Sequence, residues 1–128
     1  MVCKDRKIII SIGSNWEQVY HVKVAKEMLN EIFPGITFTP EVWTDPIGIN
    51  SDKFLNLLAL AYTQLSLKEV EVSLKQIEKT CGRKMLDKEH GLVKLDLDVL
   101  LFGDTRLHER DWSREYVQRL MDLLLFKR

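Results

Sequence analysis

The chain has 128 residues and a mass of 15.0 kDa, with 19 Lys and Arg balanced by 19 Asp and Glu. That balance and a pI near 6.8 remove any electrostatic drive toward nucleic acid or an anionic membrane. With 45% hydrophobic and 30% charged residues the composition is that of a globular chain, and no apolar run nears the roughly 20 residues of a spanning helix.

The length suits one domain over residues 1–128. The polar start from Met1 to Lys7 lacks the apolar stretch of a secretion signal, and two cysteines, Cys3 and Cys81, are too few for a disulfide framework. A monomer in a reduced, cytoplasmic compartment is expected, without nucleic-acid or membrane partners.

Lys7 to Ile12 is a β-branched run ending at Gly13 and predicts a buried strand. Asn15, three residues before Gln18, predicts the cap of a helix whose apolar positions Val22, Ala25, Met28, Leu29 and Ile32 recur until Pro34-Gly35. Ile36, Phe38 and Val42 then alternate with polar residues, in a strand that Pro40 places at an edge or a bulge. Asp45 to Lys53 is a loop long enough to be suspected of function.

Phe54 to Tyr62 predicts a third strand. Ser66-Leu67-Lys68-Glu69 is a capping box, Leu67, Val70, Leu74, Ile77 and Cys81 are the apolar stripe behind it, and Gly82 ends that helix. Arg83 to Gly91 is polar and aperiodic, and Leu92 to Phe102 is a fourth strand. After Gly103-Asp104, Ser113 is placed to cap a last helix carrying Val117, Leu120, Met121 and Leu124 on one face. The order β-α-β-β-α-β-α predicts an α+β fold. Its first six elements are the ferredoxin-like split β-α-β core, an antiparallel-rich sheet covered by helices.

The strongest chemical signal is Lys94-Leu95-Asp96-Leu97-Asp98-Val99-Leu100-Leu101. Strand alternation puts Leu95, Leu97, Val99 and Leu101 on one face and Lys94, Asp96 and Asp98 on the other, with the two Asp Cα atoms about 6.6 Å apart. Such a pair can converge on a hard cation that relieves its repulsion. Pattern alone favours a solvated strand face, but Asp opposes β-propensity, and such conflicts mark functional sites.

Asn56 shares a face with Phe54, Leu58 and Leu60, where its amide needs a partner, either backbone or a heterocyclic ligand. Arg83, Lys84, Lys88 and Lys94 either solvate a loop or clamp phosphates. Gly13-Ser14-Asn15 serves either as a cap or as an anion cradle. No phosphate-loop or dinucleotide fingerprint is present. His21 reads as a surface or partly packed residue rather than a base, and Trp16, Trp43 and Trp112 as core or rim residues.

Taken together, Ile12-Gly13-Ser14-Asn15, Thr44-Asp45-Pro46-Ile47-Gly48, Phe54-Leu55-Asn56, Ile77-Glu78 with Gly82-Arg83, and Leu95-Asp96-Leu97-Asp98 with Phe102-Gly103 resemble one family. It is the 6-hydroxymethyl-7,8-dihydropterin pyrophosphokinase family of folate biosynthesis. The resemblance implies transfer of diphosphate from ATP to the hydroxymethyl group of a pterin. Asp96 and Asp98 are implied to hold two magnesium ions. Thr44, Pro46, Ile47, Phe54 and Asn56 match the pterin pocket, with Phe54 stacking on the ring and Asn56 bonding its polar edge. Arg83 is implied to be catalytic and, with Lys84 and Lys94 as further cations, to bind ATP.

The chain departs from the family pattern at Met85, His90 and Val93, where the family carries Arg, Trp and Arg. It lacks the Pro-His pair in the region of Asp111 to Tyr116, and ends at Arg128 before the family's usual last segment. Two functions therefore stand foremost: a divergent pyrophosphokinase, or a catalytically inactive paralogue that binds a pterin or nucleotide in a regulatory role; an interaction domain whose Asp pair is only a solvated strand face comes behind them.

Overall fold

The computed structural model describes residues 5–46, 51–82 and 91–126. Strand β1 (Arg6–Ser14) runs through the middle of an antiparallel sheet, and its Ile8, Ile9, Ile10 and Ile12 are at most 1% exposed. Isoleucines on successive positions point to both faces, so β1 is buried on both sides. It pairs on one flank with β4 (Phe54–Thr63) and on the other with β5 (Asp96–Phe102). The outer edge of β4 takes β2 (Thr37–Phe38) and β3 (Val42–Thr44), and β6 (Thr105–Arg106) folds back on the end of β5. Pro40 lies between β2 and β3, on the edge side where a missing N–H costs least.

One face of the sheet is covered by α1 (Gln18–Ile32) and α2 (Leu67–Thr80), which insert Val22, Ala25, Leu29, Val70, Leu74 and Ile77 against Ile8, Ile10 and Ile12. The other face takes α4 (Glu115–Phe126), whose Val117, Leu120, Met121 and Leu124 cover Ile9, Leu58 and Leu100. Each such Val, Leu, Ile or Met side chain contributes roughly 1.5–3 kcal/mol. With β4 between β1 and the β2–β3 edge, the fold is α+β and ferredoxin-like. Among the described residues no helix is long and apolar enough to cross a membrane.

The capping box is formed: the Glu69 N–H donates to Ser66 Oγ at 3.1 Å and the Ser66 N–H to Glu69 Oε1 at 2.8 Å. Gly82, at φ +84, ends α2 in the left-handed region.

Four expectations are corrected. Asn15 does not cap α1. The cap position is Glu17, in a left-handed conformation without a side-chain bond. Asn15 is instead buried, donating Nδ2 to the Gly91 carbonyl at 2.8 Å and accepting from the Val93 N–H at 2.6 Å, while its own N–H meets the Val93 carbonyl at 2.9 Å. Residues 91–93 lie outside the strand, which starts at Asp96 rather than Leu92, so their backbone groups need a partner and Asn15 supplies it.

Second, Leu101 shares the α4 face with Leu100, because a β-bulge between Ile9 and Ile10 reverses the alternation at that end of β5. Third, Ser113 does not open α4; it closes a short α3 (Glu109–Trp112), its hydroxyl donating to the Arg110 carbonyl at 2.9 Å. Fourth, His21 is buried, and its Nδ1 donates to the Trp16 carbonyl at 2.8 Å.

Asn15→Ala strips two backbone groups of their partners and is expected to cost about 2–3 kcal/mol. Ser66→Ala removes only a cap and is expected to cost about 1 kcal/mol. Urea unfolding of the two variants checks this order.

Candidate active site

The site is built on the register of three strands. Asn56 of β4, Gly13 of β1 and Asp96 of β5 form one row across the sheet, and Leu58, Ser11 and Asp98 form the next. Side chains in register share a face, so Asn56, Asp96 and Asp98 look toward the α4 side. There they line a cavity of about 730 Å³. This is the size of a site for a small organic ligand. Its wall comes from Thr44, Asp45, Lys53 and Phe54, and its far side from Asp111, Arg114 and Tyr116 near the α3–α4 junction.

Gly13 keeps the floor open. A Cβ there would lie 3.1 Å from Asn56 Oδ1 and 3.8 Å from the Phe54 ring. Asn56 is 6% exposed, and its Nδ2 donates to Thr44 Oγ1 at 2.7 Å. Because Thr44 Oγ1 accepts that bond, its own O–H remains a donor. Asn56 and Thr44 together therefore present an acceptor and a donor side by side.

Burial pushes the Asp98 carboxyl up to about 6, assisted by the charges of Asp96, Glu78 and Asp111 and opposed by His108. The His108 Nε2 stands 3.8 Å from Asp98 Oδ1, presented by a residue at φ +53. Glu78, buried on α2, accepts the Leu97 N–H at 2.8 Å and so fixes the backbone between the two Asp residues. Burial also raises the Tyr116 hydroxyl, with Arg114 opposing and Asp111 and Asp96 adding to the rise. Among the described residues no group of three or more His, Cys, Asp and Glu is arranged to hold a metal ion. The Asp96–Asp98 pair nonetheless suits a hard dication: two carboxylates on one cavity floor, with more negative charge than their partly dehydrated setting tolerates.

Of the residues singled out from sequence, Thr44, Phe54, Asn56, Asp96 and Asp98 line this cavity. Pro46 adjoins its wall at Asp45 without lining it. Lys94 is not among the lining residues. Its ammonium donates to the Gly82 carbonyl at 3.0 Å and lies 5.5 Å over the Trp16 ring. Ile47, Arg83, Lys84, Met85, Lys88 and His90 lie outside the described residues. Sequence reasoning passed over Gly13 as a floor residue, Glu78 as a backbone anchor, and Asp111, Arg114 and Tyr116. The last three had one visible signal, a charged stretch holding Trp112 and Tyr116 at helical spacing.

The family profile described as 7,8-dihydro-6-hydroxymethylpterin-pyrophosphokinase matches residues 9–124. The chain belongs to this family. It is a family of ATP-dependent pyrophosphokinases, and the cavity described above lies within the matched segment.

The chain is similar to two proteins of Arabidopsis thaliana. One is a folate synthesis bifunctional protein, 30% identical over 130 residues that cover 92% of the chain and 27% of that protein. The other is a mitochondrial folate synthesis bifunctional protein, 31% identical over 134 residues that cover 94% and 24%. The chain thus spans about a quarter of the length of these relatives.

Asp98 carries a testable charge penalty. Its folded value, about 6, lies above the ordinary 3.8, so the ionised form destabilises the fold at pH 7 and the penalty fades as pH falls from 6 toward 4. The side chain is 32% exposed, and solvent screening holds the effect to about 1–2 kcal/mol. Asp98→Asn, unfolded in the presence of a chelator, is expected to be more stable than the parent at pH 7.5 and equal to it near pH 4.

Proposed function

We propose that the chain transfers a diphosphate from ATP to 6-hydroxymethyl-7,8-dihydropterin, in folate biosynthesis. The single observation carrying this reading is the Asn56–Gly13–Asp96 row. It sets an amide that can read a heterocycle's edge across one intervening strand, β1, from a carboxylate pair that can hold a polyphosphate's counter-ion, on one cavity floor. Family membership supports the reaction class.

In this reading the pterin lies along β4, its polar edge on Asn56 and Thr44 and its ring on Phe54. Gly13 supplies the room for a flat ring to reach them. The ring's hydroxymethyl group is thereby directed toward Asp96 and Asp98. Its oxygen gives up its proton to solvent and attacks the β-phosphorus of ATP, the bond from that phosphorus to the oxygen bridging to the α-phosphate breaks, and AMP leaves carrying that oxygen. Asp96 and Asp98 would hold magnesium, which when bound neutralises charge on the triphosphate. Glu78, through Leu97, keeps the two carboxylates from separating. Arg83 and Lys84 are assigned to ATP on the resemblance alone, as are Pro46 and Ile47 to the pterin.

A second reading, an inactive paralogue that retains ligand binding, is favoured by one observation. Val93, apolar, lines the cavity where the family pattern has a phosphate-binding Arg. Interactions made in the transition state set the rate, so such a loss falls on turnover more than on binding.

A coupled assay for AMP release from ATP, 6-hydroxymethyl-7,8-dihydropterin and magnesium decides between the two. Pterin-dependent AMP is expected, falling at least about 100-fold in Asp96→Ala. Folded protein that releases none favours the second reading, which pterin binding would then have to show, and normal turnover by Asp96→Ala overturns the metal assignment. Asn56→Ala is expected to weaken pterin binding about 10-fold with ATP binding unchanged, measured by calorimetry. Equal losses for the two ligands would remove the pterin from β4.

A further inference from the structure

Lys94 stands just ahead of the strand that Asp96 opens, and it lines no part of the cavity. Its ammonium bridges two other elements. It donates to the carbonyl of Gly82, just past α2, at 3.0 Å, and lies 5.5 Å over the ring of Trp16 in the turn between β1 and α1. A Cβ on Gly82 would lie 3.5 Å from the same Nζ, so the lysine arches closely over that glycine. One helical turn earlier, the buried Glu78 accepts the Leu97 N–H at 2.8 Å. The end of α2 thus grips the start of β5 at Lys94 and at Leu97, on either side of Asp96.

The β1–α1 turn makes a third hold. Asn15 engages the Gly91 carbonyl and both backbone groups of Val93, and Trp16, the next residue, backs the ammonium. A partly buried lysine between a carbonyl and an indole face is fixed along its whole stem. That matters at Asp96 because the first residue of a strand has the ladder on one side of it only, and strand ends fray unless the preceding residues are tied.

From this arrangement we infer that Lys94 is a positioning residue: by tying the run-in of β5 to Gly82 and Trp16 it holds the Asp96 carboxylate beside that of Asp98, and so sets the cation affinity of the pair. The inference rests on the assignment of magnesium to Asp96 and Asp98 in the reading above, and adds a residue that acts without touching metal or substrate. Charge and position pull in opposite directions here. An ammonium near a cation site repels the cation, so losing it as a charge alone would tighten binding. Losing it as a tether lets Asp96 swing and weakens binding. The sign of the change separates the two.

The test is titration of the full chain with Mn2+ alone, followed by water-proton relaxation, and repeated on five variants. Asp96→Ala is expected to abolish binding at the pair. Lys94→Met, which keeps the stem but loses donors and charge, is expected to weaken it about 10-fold. Lys94→Arg, which keeps a donor and a cation over Trp16, is expected to recover most of that loss. Lys79→Met, the same charge change at an exposed position in the last turn of α2, is expected to stay within twofold. Trp16→Leu is expected to weaken binding about threefold, and it carries the test if thermal unfolding shows Lys94→Met to have lost its fold.

Asp96-dependent binding that is equal or tighter in Lys94→Met, or in Trp16→Leu in its place, overturns the inference and leaves the metal assignment standing. An equal loss in Lys79→Met overturns it as well. A parent that binds no Mn2+, or binds it undiminished in Asp96→Ala, overturns the metal assignment and the inference with it. Lys94-dependent binding without pterin-dependent AMP release sustains the inference while removing the catalytic reading.

Discussion

Strand β1 is buried on both faces, and its register with β4 and β5 is the constraint on which the site depends. A slip of one residue would carry Ile8, Ile10 and Ile12 to the α4 face and bring Ser11 and Gly13 under α1 and α2, mispacking both sides of the core. The same register puts Gly13 between Asn56 and Asp96. Core packing and site geometry are therefore one requirement: what keeps Ile8, Ile10 and Ile12 under α1 and α2 also brings an amide and two carboxylates to a single floor. Gly13 is the one position in that row where a side chain would close the space the row creates.

The opposite side of the cavity depends on a departure from regular pairing. The bulge in β5 puts both Leu100 and Leu101 on the α4 face, and the Leu100 carbonyl accepts from the Leu107 N–H and the Trp112 indole. These bonds bring α3 down beside the strand that carries Asp96 and Asp98. Asp111 and Arg114 follow within one helical turn. An irregularity of the ladder thus supplies the wall that a flat sheet would lack. Charge is concentrated in the result, and Asp98 bears its cost as a carboxyl that holds its proton up to about pH 6.

Asn15 shows how a local signal can be outbid. Its position three residues ahead of Gln18 is a reasonable cap, worth about 1 kcal/mol at a helix start. Bridging the otherwise unpaired backbone at Gly91 and Val93 satisfies more groups in a drier place, so the side chain goes there and α1 starts without a side-chain cap. Lys94 behaves similarly. Alternation put it beside Asp96, but the strand begins only at Asp96, and the lysine is free of that alternation to meet the Gly82 carbonyl and the Trp16 ring.

Hydrophobic period, the Ser66–Glu69 box, and Gly82 after its helix are local or short-range properties, and for that reason the order of the main strands and helices, the α+β class and the apolar stripes of α1, α2 and α4 were legible in the sequence, while the short β6 was not. Asp96, Asp98 and Asn56 were legible too, as polar residues in strands that propensity would have made apolar. The α3 turn, the bulge, the use of Asn15 and the burial of His21 were not legible, because each is settled by a partner at least five residues away or by strand pairing. The cavity belongs to this second group. Its residues come from β1, β3, β4, β5 and the α3–α4 junction, and only a formed sheet brings them together. The sequence by itself determined which residues could carry charge and which face of α1, α2 and α4 would be buried. Which charges meet, and around what space, was decided by tertiary structure, since register and strand order are set by the burial of whole faces rather than by any residue's neighbours in the chain.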